Sequence, residues 1–358
     1  MTKQKYSNMI CVSINIGLEV TMSSLYDVAE LAGVSKTLVS RVINGQKGVS
    51  DKSKEKILSA MKELNYTPNA IARSLVLQKT HIIGVVLDNL CEPYFFDLIK
   101  GIEHSITKSD YDVIFCSGRN SMELKSKYIK FLSQGRADGV IIYGSSLSDE
   151  KLIKELSVSN FPFIVVENEV EGVNINNVVV DNAFGSKLAI EHLVEIGCRN
   201  IYHVTGDMTI KASVDRRDGY IKAMQNKGFT VNSNMILMAD FSVESGYEAV
   251  KAFIEKNGRG QLPDAFYFGA DTTAFGGMMA LEDYSIRIPE DIKIVGFDND
   301  KPHDIDRKLK KLTTLSQPLY KMGESAVTML ISDINHITPE KQKLLYYPEL
   351  IIRETTKE

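Results

Sequence analysis

The chain has 358 residues, too many for one core and suited to two or three, because domains usually hold about 100 to 200 residues. With 44% apolar and 25% charged residues its composition is ordinary globular, which excludes disordered, collagen-like and fibrous classes. The net charge of −4 hides an asymmetry: residues 22–80 carry nine basic against five acidic side chains and residues 1–21 a net +1, so the remainder carries −9. A basic head on an acidic body is the pattern of a nucleic-acid binder, since only the head is drawn to phosphates. Cys11, Cys91, Cys116 and Cys198 lie far apart with no C-x-x-C pair, so no disulfide framework or zinc site is indicated, and a reducing cytoplasm is the expected compartment.

No window reaches the ~18 unbroken apolar residues of a membrane span. Lys3 and Lys5 precede an apolar patch at 9–18, but Ser13 and Asn15 interrupt it and no A-x-A cleavage pattern follows, so it is a poor signal peptide. Residues 1–21 are therefore read as a leader outside the folded part, with translation expected to start at Met22.

The first folding signal is Ser24-Leu25-Tyr26-Asp27, an S-x-x-D capping box leading into apolar Leu25, Val28, Ala29 and Ala32 at helical spacing. Gly33 ends that helix, Ser35 caps a second, and Asn44-Gly45 closes it. At about 100° per residue, Leu38, Val39, Val42 and Ile43 share one arc of the second helix, while Lys36, Thr37, Ser40, Arg41 and Asn44 share the other. A polar arc is usually just a solvated face. This one is rich in donors, lacks a carboxylate and follows a glycine turn between small residues, as a helix-turn-helix needs when its second helix enters the major groove. A third helix, capped by Ser50, carries the stripe Ile57, Ala60, Met61, Leu64. Pro68 stops it, and the segment from Asn69 through Arg73 and Leu75 is too short to be a stable helix alone. It is either a plain linker or a hinge that becomes helical when paired on DNA, with Leu75 as a minor-groove wedge.

Leu25-Tyr26-Asp27-Val28-Ala29, Ala32-Gly33-Val34-Ser35, Val39-Ser40-Arg41-Val42-Ile43-Asn44 and Tyr66-Thr67-Pro68-Asn69-Ala70-Ile71-Ala72-Arg73-Ser74-Leu75 resemble the signature of the lactose repressor (LacI/GalR) family of bacterial transcription regulators. The resemblance implies that Lys36, Thr37 and Arg41 read bases, that Ser40 and Asn44 contact the DNA backbone, and that Leu75 is the intercalating hinge leucine, with Asn69 and Arg73 beside it. Leu38 departs from the threonine usual there, and its arc points it at the core.

From His81 short β-rich runs alternate with helical stretches: 82–87, 112–116, 140–143, 163–166, 201–204, 265–268 and 292–297, with a helix near 95–109 after the first. Such alternation implies parallel sheets with crossover helices, here two doubly wound subdomains. Ligands in such folds bind beyond the carboxyl ends of strands. That rule nominates Asp88 with Tyr94 and Phe95, Ser117, Gly144 with Ser145, Glu167, Asp207, Asp271 and Asp298. The body also resembles the family's effector-binding core, itself similar to periplasmic sugar-binding proteins. The resemblance rests on Glu92-Pro93-Tyr94-Phe95-Phe96, Val180-Asp181-Asn182, Arg216-Arg217-Asp218-Gly219-Tyr220, Val295-Gly296-Phe297-Asp298-Asn299 and Leu312-Thr313-Thr314-Leu315. It implies Arg216 and Asp298 as polar ligand contacts and Tyr94, Phe95 and Phe241 as aromatic walls. The plain alternatives are core packing for Phe95 and Phe241 and a surface ion pair with Asp215 or Asp218 for Arg216. Ala270 stands where the family often places an asparagine contact.

The expected architecture is therefore α/β: a leader at 1–21, a helix-turn-helix domain at 22–67, a hinge at 68–80, and a periplasmic-binding-protein-like core. One core subdomain is expected at 81–181 with 313–341, the other at 182–312 with 342–358. The chain offers no G-x-G-x-x-G, G-x-x-x-x-G-K-[ST], H-E-x-x-H or G-x-S-x-G, and its six histidines are scattered, so no catalytic residue, metal or cofactor is expected. The expected function is a homodimeric transcription regulator, a repressor, that reads a pseudo-palindromic DNA operator and is gated by a small sugar-like effector. The alternatives are a catabolite-control-type regulator answering to a phosphorylated carrier protein and, from other classes, a fused enzyme or a solute-binding protein.

Overall fold

The computed structural model describes residues 23–44, 46, 48–67, 79–301, 308–337 and 340–357. The chain divides into two units, 1–80 and 81–358. The leader and the hinge residues Asn69, Arg73 and Leu75 lie outside the described residues.

In the first unit the capping signals set the helices. The Ser24 side chain accepts from the Asp27 N–H while Asp27 accepts from the Ser24 N–H, which starts α1 (Leu25–Ala32). Gly33 ends it at φ 64°, a left-handed turn that glycine adopts without the strain of a Cβ. Ser35 caps α2 (Lys36–Ile43) and Ser50 caps α3 (Asp51–Glu63). Val28, Ala29, Ala32, Val39, Ile57 and Ala60 form the core where the three helices meet, and Leu38 packs partly buried against it. The Ser23 hydroxyl donates to the Leu64 carbonyl at 2.7 Å and ties the two ends of the bundle together.

The second unit holds two sheets, each of six strands among the described residues. The first is ordered β11-β5-β4-β3-β1-β2, with β1 Ile82–Leu87, β2 Asp112–Ser117, β3 Gly139–Tyr143, β4 Phe163–Val166, β5 Asn176–Val180 and β11 Lys343–Tyr346. The second is ordered β12-β10-β9-β8-β6-β7, with β6 Ile201–Val204, β7 Ile236–Leu237, β8 Ala265–Phe268, β9 Lys293–Asp298, β10 Thr313–Ser316 and β12 Glu349–Ile351. Pairing is parallel except between β10 and β12. The central strands are apolar on both faces, as strands sandwiched by helices must be. On the first sheet, α4 (Phe96–Ile106) covers one face and α5 (Met122–Ser133) with α6 (Asp149–Ser157) the other. On the second, α7 (Asn182–Glu195) and α8 (Lys211–Asn226) oppose α9 (Val243–Asn257) and α10 (Asp271–Asp283). Helix α11 (Leu319–Ile334) returns to lie beside α4, so close that a Cβ on Gly101 would fall 2.0 Å from the Tyr320 carbonyl oxygen.

Two expected boundaries move. Residues 313–316 pair with β9 in the second sheet, and residues 343–346 pair with β5 in the first. The chain therefore leaves the second sheet after Ser316, not at 312, and the first after Tyr346, not at 341. The reason is long-range: buried Thr313 and Thr314 need hydroxyl partners, which Thr356 and Asp271 of the second half supply.

Candidate functional site

Lys36, Thr37 and Arg41 stand exposed on α2, while Ser40 and Asn44 are half-buried. The Asn44 amide donates to the Ser40 hydroxyl at 3.3 Å, so these two hold each other and leave the outer arc to the longer side chains. The Lys36 ammonium sits 3.7 Å from the centre of the exposed Tyr26 ring, which adds an α1 side chain to the same face. No carboxylate occurs on α2. The arc can therefore donate hydrogen bonds to phosphate or base edges without a like charge to repel them.

In the second unit the strand ends converge on Arg216. Its Nη2 pairs with Asp298 at 3.1 Å, its Nε donates to the Asn182 side-chain oxygen at 2.8 Å, its Nη1 donates to the Gly269 carbonyl at 2.6 Å, and the guanidinium lies 3.7 Å over the Phe297 ring. Burial works against its charge, but Asp298, Tyr94, Tyr267 and Glu167 together lift its pKa above the ordinary value. The alternative of a surface ion pair does not hold: Arg216 is 3% exposed, and it is Lys211 that pairs with Asp215 and Arg217 that pairs with Asp218.

Asp298 ends β9 at φ 111° and receives a second donor, the Gln317 amide, at 2.7 Å. Burial raises its pKa and Arg216 opposes that rise. Glu167, just past β4, is held at φ 66° and is 4% exposed. Such left-handed backbone costs a non-glycine residue about 1 to 3 kcal/mol, so the surrounding structure imposes it. Burial raises the Glu167 pKa to about 7, with Arg216 and an Asn182 hydrogen bond pulling the other way. One carboxylate oxygen of Glu167, Oε1, is buried without a hydrogen-bond partner. Burial raises the Tyr94 pKa, the nearby charges of Glu167 and Asp298 add to the rise and Arg216 opposes it, and its hydroxyl accepts a hydrogen bond from the Tyr143 hydroxyl at 3.2 Å. Phe241 is 36% exposed and lies over Gly206, where a Cβ would come within 2.4 Å of its ring. Gly206 in turn borders Gly269, the carbonyl partner of Arg216.

Tyr94, Glu167, Arg216 and Asp298 thus come together, with Phe241 at the edge. Two expected contacts do not join them. Phe95 is 2% exposed and packs edge-on against Tyr143 at 4.8 Å, inside the core of the first sheet. Asp271 is fully buried, and both its oxygens are occupied by the Thr314 hydroxyl and the Asp300 N–H, so it pins β10 to the start of α10. Asp88 is likewise engaged, with Lys125 at 2.5 Å and the Ser145 hydroxyl at 3.0 Å.

Residues 24–69 match the family model described as bacterial regulatory proteins, lacI family, and residues 80–354 match that of periplasmic binding proteins and the sugar binding domain of the LacI family. The chain belongs to the LacI family. Similar proteins include the HTH-type transcriptional repressors PurR of Serratia proteamaculans and Proteus mirabilis, each 33% identical over 93% of this chain and 97% of theirs. Among solved structures, the Lac repressor dimer bound to operator and the anti-inducer ONPF is 27% identical with TM-score 0.82, covering 94% of this chain and 99% of that one. A CelR–cellobiose complex is 26% identical with TM-score 0.70, covering 93% and 99%. This LacI-family chain is accordingly a DNA-binding transcription regulator with an effector-binding core. Among its described residues no helix is long and apolar enough to cross a membrane.

Sequence reasoning passed over Asn182, which accepts from Arg216 and counters the rise in the Glu167 pKa, and Gln317, the second partner of Asp298. Asn182 is the first residue after the Asp181 cap of α7, a position where a polar side chain reads as part of the helix start. It also passed over Lys125. A signal existed there: Lys125, Ile129 and Leu132 form the buried i, i+4, i+7 stripe of α5, and a lysine in such a stripe needs a buried counter-charge.

Proposed function

We propose that this regulator is a homodimeric, cytoplasmic repressor that acts without catalysis: it reads a pseudo-palindromic operator through α2 and is gated by a small sugar-like effector bound at Arg216, Asp298, Glu167, Tyr94 and Phe241. The observation that carries the reading is the sealed Arg216–Asp298 pair beside a buried carboxylate oxygen that has no partner. A fixed guanidinium and carboxylates suit hydroxyl groups, and Tyr94 and Phe241 suit the apolar face of a ring. The repressor sense draws on the PurR relatives, and the sugar class on the cellobiose held by CelR. On the head, Lys36, Thr37 and Arg41 would contact base edges and Ser40 and Asn44 the backbone, with Asn69, Arg73 and Leu75 in the hinge. The effector acts by preferring one arrangement of the two core halves, with a coupling of about 1 to 3 kcal/mol.

Random-oligonucleotide selection with the full chain tests the DNA half, and recovery of no preferred site overturns it. Operator binding measured against a panel of sugars and nucleobases tests the rest. A sugar that shifts binding in the native chain but not in Asp298→Ala supports the pocket; a nucleobase that does so replaces the ligand class.

A further inference from the structure

Near the pocket the two halves of the core are joined through backbone. The loop after β3 passes through Ser145, Ser146 and Leu147, and the segment ahead of α8 passes through Thr209, Ile210 and Lys211. The Leu147 N–H donates to the Thr209 carbonyl and the Lys211 N–H to the Ser145 carbonyl, each at 2.9 Å, which sets Ser146 opposite Ile210 as an antiparallel bridge. Each side is braced within its own half. The Asn168 amide donates to the Gly144 carbonyl, and the Ser146 N–H donates at 3.2 Å to Asp149, whose carboxylate is held by Lys125 at 2.6 Å. Across the gap, Asp207 accepts from both the N–H and the hydroxyl of Thr209 at 2.8 Å. Segments fixed in this way lose little further conformational freedom when they pair, so even two hydrogen bonds hold them.

We propose that segments 145–147 and 209–211 form a clasp that holds the two halves of the core closed, and that opening it changes how tightly the regulator grips its operator. The second clause rests on the gating proposed above. Lys211 begins α8, and Arg216 lies little more than one helical turn further along it, so a ligand engaging the guanidinium acts on the element that carries one side of the clasp.

Lys211→Pro removes one clasp donor and sets its ring Cδ against the Ser145 carbonyl, so the clasp must part there while the helix is spared. Proline is favoured at the first position of a helix, and Ile210, at φ −101° and ψ 130°, already has the extended backbone required before it. Lys211→Ala is the control: it loses the same side chain, including its pairing with Asp215, but keeps the N–H. Amide exchange of the peptide containing Leu147 is measured in the full-length variants, together with their affinity for the selected operator. We expect exchange at least about fivefold faster in Lys211→Pro than in Lys211→Ala, with operator affinity shifted by a similar factor, since at least one hydrogen bond is lost. Equal exchange in the two variants overturns the clasp. Faster exchange with unchanged operator affinity supports the clasp and overturns the gating that links it to DNA.

Discussion

Lys36 and Arg41 stand in solvent on α2, whereas Lys125 and Arg216 in the core have side-chain exposures of 1% and 3%. The two regions use the same kinds of side chain for different physics. An exposed cation is screened by salt and attracts a polyanion at range, so its energy appears when DNA arrives. A buried cation has its geometry fixed in advance by partners it cannot lose cheaply, so it can orient a small ligand or a loop but cannot reach out for one. The head is thus an interface awaiting its partner, and the core keeps its charges in place before any ligand comes.

The sharpest break of that contrast is Lys125→Met. It strands the carboxylates of Asp88 and Asp149 with no cation between them, and a buried pair that loses one member costs about 3 to 5 kcal/mol. Urea unfolding of the core measures this. A loss under about 1 kcal/mol, the range of exposed pairs, would mean that the core handles charge as the head does.

Glu167→Gln tests the core through pH. Burial lifts the folded carboxyl to about 7 from an ordinary 4.5, so the folded state takes up protons more readily than the unfolded chain. The stabilisation from protonated Glu167 is complete below pH 4.5 and is lost as pH rises through 7. Glu167→Gln removes that dependence, so between pH 5 and 8 the native core should lose up to about 3 kcal/mol more than the variant. Asp300, also raised to about 7 by burial and by Asp298, remains in both proteins and cancels in the difference. Parallel stability curves for the two proteins would show that Glu167 is hydrated.

The head was the more legible region because its signals are local. Ser24 and Asp27 cap each other across three residues, and Gly33 and Ser35 lie where the turn needs them. In the core the strands reveal themselves as apolar runs, but their partners do not. Thr313–Ser316 and Lys343–Tyr346 are four residues each, and only the finished sheets show that the first belongs with β9 and the second with β5. The site was readable to the level of which strand ends converge and no finer. Tyr94 and Phe95 are neighbours in one tight turn, yet one faces the charged cluster and the other the core. Asp271 and Asp298 both stand at the carboxyl ends of strands of the second sheet, yet Thr314 occupies the first while Arg216 and Gln317 hold the second beside Glu167. Which carboxylate meets a ligand depends on partners more than forty residues away for Asp271, a separation that no local pattern encodes.

On the head, Arg41→Ala should relax base preference at one operator position at a cost of about 1 to 3 kcal/mol, if its guanidinium forks onto a guanine. Binding to a set of single-base operator variants reads this directly. Equal weakening on every sequence would place Arg41 on phosphate instead, and the head would then discriminate through its other exposed side chains.

Ser35→Ala carries the smallest expected effect and separates reading from holding. The Ser35 hydroxyl accepts from the Leu38 N–H at 3.3 Å and fixes the start of an eight-residue helix, so its removal should cost the head about 1 kcal/mol. Because Ser35 supports the whole of α2, operator and non-operator DNA should weaken together and specificity should stay where it was, in contrast to Arg41→Ala. Core stability should not change, since Ser35 belongs to the other unit. A selective loss at one base pair would instead show that the Ser35 hydroxyl itself touches DNA, and the division between residues that shape α2 and residues that read from it would have to be redrawn.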